Sequence, residues 1–331
     1  MVGRGCGDCG IPDNLGMSAW PPAPDPATHW LVPCAALDDP AALEGLTLPN
    51  LRALLGHLAP QAQLGGDTER LNPPHERALA WAIGLPDADG QLPWAALGSE
   101  HPEQAQAWVH PVHFQVGMDQ VRLFAGEALD LDEATSRSLC AALAPLCAED
   151  GVRLTVDSAT RWRAEGPRLA GLALASLDRV SGRGVAAWQP RGPEGAWLRR
   201  LGNEAQMLFY THPAHDARQA AGRLPVNGVW VSAPGAVIHG LALRRPPTVL
   251  DTLRAPALAA DTTAWRHAWT ALDAGPLADL LGRAARGEPV HLTLCGERHA
   301  VCHGPRDGGW WTRLRARWSG APDPIDHLRT L

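Results

Sequence analysis

The sequence predicts an α/β (or α+β) protein, a mixed β-sheet with flanking helices that ends in a C-terminal β-hairpin. Three observations carry this expectation. LDEATSRSLCAALAPLCAEDG, residues 131–151, is an amphipathic helix with acidic residues in its first turn and Gly151 just past its end, which suits the helix dipole and a left-handed cap. Strands flank it, AWVHPVHFQVGMDQVRLF before it and VRLTV with its hairpin partner TRWRAE after it, and that order favours layered α/β packing. The tail VHLTLCGERHAVCHG reads as a hairpin closed by a Gly-first turn at Gly296 and Glu297, the chemistry of a type II′ connection.

The remaining elements follow in chain order. The opening MVGRGCGDCGIPDNLG is Gly-rich and aperiodic, with a second Met at Met17, so residues 1–28 are expected to be a flexible N-terminal extension. Residues 29–331 are expected to form a single α/β domain, with two subdomains dividing near 165–195 left open. WLVPCA is the first strand, and PNLRALLGHLAP and PPHERALAWAIGL are helices with apolar residues three and four apart and Pro near the start. Residues 107–124 form two strands broken around 117–120. The Gly-, Arg- and Pro-rich stretch 165–195 holds a strand at VAAWQP, and a helix follows over EGAWLRRLGNEAQMLFYTHP. Asn227 and Gly228 between LPV and VWV give a strong hairpin signal. Loop and short strand then lead to helices near 262–272 and 276–286.

Composition narrows the partners. The chain has 331 residues, 45% of them hydrophobic, which is ample for a core. All 29 basic residues are Arg, and the net charge of -6 with interspersed signs offers no basic stripe for a phosphate backbone, so no nucleic-acid partner is expected. No apolar run reaches the roughly eighteen residues of a membrane span, and no basic-then-apolar leader opens the chain, so no membrane association and a cytoplasmic location are expected. Seven Cys fit reduced thiols better than a disulfide framework.

Metal-like spacings occur at three places in the chain. CGDC at Cys6 to Cys9 has CxxC spacing, but no second ligand pair accompanies it. CGERHAVCH offers Cys295, His299, Cys302 and His303, yet a turn at 296–297 sets Cys295 opposite Arg298 and Cys302 opposite His291, which separates the thiols by about 13 Å. His110 and His113, three apart in a strand, face opposite sides. His110 shares its face with Val112, Phe114 and Val116, so a hydrogen-bonded core histidine is at least as well supported there as a functional one, while His113, sharing its face with Gln115, is the better cleft residue.

The densest polar stretch is NEAQMLFYTHPAHDARQAAGRLPVNGVWV, residues 203–231. A helix over 194–212 places Trp197, Leu201, Ala205 and Leu208 on one apolar stripe beside Asn203 and Gln206. His212 falls where that helix ends, a position where a cation is favourable. On residues alone this stretch is equally architecture or site.

WVHPVHFQVGMDQVRLF, AWQPRG and WLRRLGNEAQMLFYTHPAHDARQAAGRLPVNGVWV, in this order, resemble the RpfE-type bacterial proteins, named for regulation of pathogenicity factors, over most of the chain from about Trp30. Within it, His212, Pro213, Ala214, His215, Arg218, Gly222, Pro225, Val226, Asn227 and Trp230 resemble the segment HPVNxxRxxxGxxPANxxWxWGxG of archaeal-type cofactor-independent phosphoglycerate mutases. His215 stands in place of Asn, and Ser232 and Ala233 in place of Trp and Gly. That chemistry requires a Ser nucleophile and two metals held by Asp and His. WLVPCA is followed by no Asp-Gly, no DxxGH cluster appears, and Asp307-Gly308 has no His partners. The resemblance therefore implies shared ancestry without metal-dependent phosphotransfer, and no metal or other cofactor is expected.

The expected function is that of an RpfE-type cytoplasmic protein with a regulatory or small anionic-ligand-binding role. Its ligand site would be built from Asn203, Gln206, His212, Arg218, Asn227 and Trp230 with His113, Arg218 pairing an acid group in bidentate fashion, the amides fixing orientation and Trp230 stacking. No catalytic residue is assigned. A small anionic metabolite and a protein partner both remain open, as do a divergent phosphoglycerate mutase-like phosphotransferase and a protein-interaction scaffold.

Overall fold

The computed structural model describes residues 21–65, 67–118, 120–192, 195–306 and 323–331. Two mixed-layer lobes divide the chain. The first sheet has the order β2-β10-β9-β1-β8, built from β1 His29–Val32, β2 Leu58–Gly65, β8 Thr248–Val249, β9 His291–Cys295 and β10 His299–Pro305. β1 runs parallel to β8 and β9, whereas β10 is antiparallel to β9 and β2. The second sheet joins β3 Gln106–Val116, β4 Val121–Phe124, β5 Arg153–Ser158, β6 Arg161–Glu165 and β7 Gly228–Gly235, with β3 at its centre pairing β4, β6 and β7.

The helices divide in the same way. α1 Pro49–His57 and α2 Pro74–Ile83 belong to the first lobe, α3 Glu133–Glu149 to the second, and the short α4 Leu177–Val180 lies between them. α5 Ala196–Thr211 and α6 Pro213–Ala220 cover the second sheet, and α7 Arg254–Leu258, α8 Thr262–Leu272 and α9 Ala278–Ala285 return to the first. Thus the first lobe takes strands from both ends of the chain, and the second is its middle. The expected mixed sheet, flanking helices and C-terminal hairpin are all present.

Each lobe has its own core. In the first, Trp265 and Trp269 are fully buried, edge to face at 6.2 Å, and their indoles donate to the carbonyls of Cys34 and Ala35 just beyond β1. In the second, Trp162 and Phe209 meet edge to face at 6.3 Å, and Trp162 Nε1 donates to the buried Ser136 hydroxyl. Such aromatic pairs add about 0.5–1.5 kcal/mol each beyond the apolar area they bury. Asp273, also buried, accepts from the N–H groups of Asn50 and Leu51 and so caps the positive end of α1.

Several local expectations change. The helix over 49–60 stops at His57, because Pro60 disfavours helical backbone at Ala59 and cannot donate, and the chain instead runs out as the edge strand β2. VAAWQP is not a strand; Val185–Trp188 is a 3-10 turn that buries Val185 against the second lobe, and no ladder runs beside it. The C-terminal hairpin pairs Cys295 with Ala300, so the turn spans 296–299 and Cys302 faces Thr293, not His291. The N–H groups of Arg298 and His299 both donate to the Leu331 carbonyl at 2.7 Å, which holds that wider turn open. Asn227-Gly228 forms no hairpin, since β7 pairs with β3 and the preceding LPV is irregular.

Of the expected flexible extension, residues 1–20, including Cys6 and Cys9, and also Asp307 and Gly308, lie outside the described residues. Residues 21–28 are held against the first lobe, where Trp81 donates to the Pro21 carbonyl and Arg244 to those of Ala23 and Pro24. The described residues of the stretch 165–195 lie along the junction of the lobes. Asp178 within it bonds to His75 and Arg254 of the first lobe, while Val180 and Val185 pack with Val112 and Trp230 of the second. Among the described residues no helix is long and apolar enough to cross a membrane.

Candidate functional site

α5 ends at Thr211 because Pro213 restricts His212 to extended backbone, and α6 starts at once with Pro in its first turn. This corner fixes most of the sequence-predicted residues. The structure sorts them into two groups.

Asn203, Gln206, Asn227 and Trp230 line one cavity of about 590 Å³ with Phe114 and Trp188. Asn203 and Gln206 project from one face of α5, exposed, and neither side-chain amide makes a hydrogen bond to another described residue. Asn227 is committed to the fold: its Oδ1 accepts from the Phe114 N–H at 2.7 Å and its Nδ2 donates to the Phe114 carbonyl at 2.9 Å, so the side chain continues the β3–β7 ladder. Gly228 follows because a Cβ there would lie 2.5 Å from the Phe114 ring. Trp230 is buried with Nε1 donating to the Ala175 carbonyl, so it forms a wall of the cavity and not an open stacking face.

His113, His212 and Arg218 do not line this cavity. The Arg218 guanidinium, 5% exposed, donates to the carbonyls of Leu224, Asp130 and Leu129 and has its donors occupied by backbone, which corrects its expected role as a bidentate anion partner. His212 caps α6: its Nδ1 accepts from the Ala214 N–H, so the ring is committed to the start of α6 and not to the end of α5. His113 Nδ1 bonds to the Pro225 carbonyl at 2.8 Å and holds the approach to β7. His110 is a buried core histidine bonded to Ser232, and burial pulls its pKa down to about 4.

A second cavity of about 760 Å³ shares Leu174, Trp188, Gln189 and Pro190 with the first, so the two form one groove along the lobe junction. Its far end carries Arg183 and Arg298, with Asp38 and Glu69 opposite. The apolar and amide end and the charged end thus meet at Trp188.

Behind the groove lies a dense charged group. The Asp178 carboxylate, 5% exposed, accepts both Arg254 Nε at 2.5 Å and Nη2 at 2.6 Å and faces His75 Nε2 at 3.0 Å. Burial alone would raise the Asp178 pKa, but the His75 and Arg254 hydrogen bonds outweigh it and hold the group well below the carboxylate range. Glu76, bonded by Asn72 Nδ2 at 2.7 Å, is shifted the other way, up, by burial and by the Asp178 charge. Cys34, just beyond β1, adopts left-handed backbone at φ 53°, and its buried thiol is pushed up by burial and by the nearby acids, so it is no ready nucleophile.

His75, Glu76 and Asp178 present ligand atoms within 4.8 Å of one another, the one group with metal-ligand spacing among the described residues. Both Asp178 oxygens already face Arg254, however, so the group is neutralised from within. Cys295 and Cys302 point into a small apolar cluster with Leu31 and Trp81 and behave as core thiols, Cys302 pushed up to about 11 by burial. Sequence reasoning missed His75 and Asp178, which are 103 residues apart, and had no local signal for them. Trp188 and Gln189 did have one, the AWQPRG stretch.

No family model matches the chain, and no curated protein matches it. Among solved structures it is similar to a cofactor-independent phosphoglycerate mutase from Thermoplasma acidophilum, 15% identical with a TM-score of 0.34, over 92% of this chain and 99% of that one. It is also similar to the PH0037 protein from Pyrococcus horikoshii, 10% identical with a TM-score of 0.43, over 88% of this chain and 92% of that one.

Proposed function

We propose that the protein binds a small amphipathic acid in the junction groove, without carrying out metal-dependent phosphotransfer, and that this occupancy is its regulatory signal. The observation that carries the reading is the pair of uncommitted amides, Asn203 and Gln206, facing a cavity of about 590 Å³ walled by Phe114, Trp188 and Trp230. That volume lies within the range of roughly 300–1,000 Å³ usual for small-ligand sites, and its lining is polar and apolar in near-equal measure. The ligand's apolar body would lie against the aromatic walls, the amides would fix its orientation, and its acid group would reach toward Arg183 and Arg298. The RpfE-type sequence resemblance supports the regulatory part of this reading. Buried, unpaired Cys140, Cys147, Cys295 and Cys302 agree with a cytoplasmic, reducing compartment.

Thermal-shift and calorimetric titration with aryl carboxylates and nucleoside monophosphates test it. The expected result is stabilisation of the wild type that disappears in an Asn203→Leu, Gln206→Leu variant, both positions being exposed and harmless to the fold. Failure of every acidic amphiphile to stabilise the wild type, or a shift indifferent to the two amides, would overturn the reading.

A further inference from the structure

Arg179, on α4, is 1% exposed, and its Nε and Nη2 have no hydrogen-bond partner among the described residues. Its Nη1 lies 3.7 Å from Glu297 Oε2, and its guanidinium carbon stands 5.7 Å from the Trp188 ring centroid. Arg183, one turn on and 31% exposed, donates from Nη2 to the same Glu297 oxygen at 2.5 Å and lies 3.2 Å from Asp38. Two guanidiniums therefore converge on one carboxylate, that of a turn residue from the opposite lobe. Burial depresses the Arg179 pKa, Glu297 offsets part of that, and the neighbouring Arg183 adds to it. A buried guanidinium with unmet donors is unfavourable unless something else meets them.

We propose that Arg179 and Arg183 form a subsite for a phosphate or carboxylate group, and that Glu297 is an internal stand-in which such a group displaces. Planar guanidiniums suit this task, since each offers paired N–H donors to two oxygens of one acid group. Arg183 and Trp188 both line the groove, so an acid entering there reaches Arg183 first and gains the unpaired Arg179 donors as Glu297 withdraws. The inference rests on the groove reading and names the group that the ligand's acidic end meets.

The test is calorimetric titration of the full chain with inorganic phosphate, comparing wild type, Glu297→Gln and Arg183→Met. Glu297→Gln keeps the turn's shape and removes the competing charge, and it should tighten phosphate binding by about tenfold, the effect of one partly screened charge. Arg183→Met should abolish binding in either background. Equal phosphate affinity in wild type and Glu297→Gln, or binding that survives Arg183→Met, would overturn the subsite. If that happens while aryl carboxylates still require Asn203 and Gln206, only the subsite falls; loss of the amide dependence alone removes the groove reading instead.

Discussion

The corner around Arg218 and the junction around Arg179 each bury an arginine, at 5% and 1% exposure, and they treat it in opposite ways. Arg218 reaches three backbone carbonyls, Leu224, Leu129 and Asp130, which bind the end of α6 to the loop before α3. Arg179 has Glu297 at a distance and, among the described residues, two donors without a partner. Fully met donors mark a structural clamp. Unmet ones mark a place where the fold retains a charge that its own atoms do not answer.

Substitutions should separate the two regions by sign as well as size. Arg218→Ala should give the largest effect, a loss of about 3–5 kcal/mol in denaturant unfolding, because it strands buried carbonyls. Asn227→Ala, in the same corner, should cost about 1–3 kcal/mol by leaving the Phe114 N–H and C=O without partners, and amide exchange at Phe114 should accelerate. At the junction the sign should reverse. Glu76 has a folded pKa raised above its unfolded value of about 4.3, so its contribution is present below that pH and is lost as pH rises. Glu76→Gln should therefore be more stable than wild type at neutral pH, with the gap closing as melting temperatures are followed below about pH 4.3. Arg179→Met should give the smallest change, within about 1 kcal/mol of wild type, since the cation it removes is poorly met. A loss as large as that of Arg218→Ala would erase the contrast between the regions.

Much of the fold could be read from local sequence, and the reasons are physical. The α3 helix, with its acidic first turn, Asp132 cap and Gly151 at φ 72°, is specified by residues within about one turn of each end. The β3–β4 break, the β5–β6 hairpin and the helix over α5 were legible for the same reason. Two of the misreadings share a cause. Asn227-Gly228 and Gly296-Glu297 carry hairpin chemistry, but a long-range partner decides each one: the β3 strand for Asn227, the Leu331 carbonyl for the C-terminal turn.

The site was legible in half. Asn203, Gln206, Asn227 and Trp230 do line one cavity: helical spacing puts the two amides on one face of α5, while Trp230 of β7 and Asn227 just before that strand supply the rest. His113, His212 and Arg218 look the same in sequence, yet each spends its polar atoms on a neighbouring backbone group. Polar residue type and spacing do not reveal whether a donor already has an acceptor.

By itself the sequence determined the α/β class, most helices and strands, and the face of α5 that carries the amides, since these depend on periodicity and caps within a few residues. Only the tertiary structure decided that the first lobe is assembled from both chain ends around an inserted second lobe. It also decided that Asp178 meets His75 and Arg254, and that Arg179 is buried with unmet donors. Burial and hydrogen-bond satisfaction are properties of what surrounds a side chain, and those surroundings come from segments 76 or more residues away.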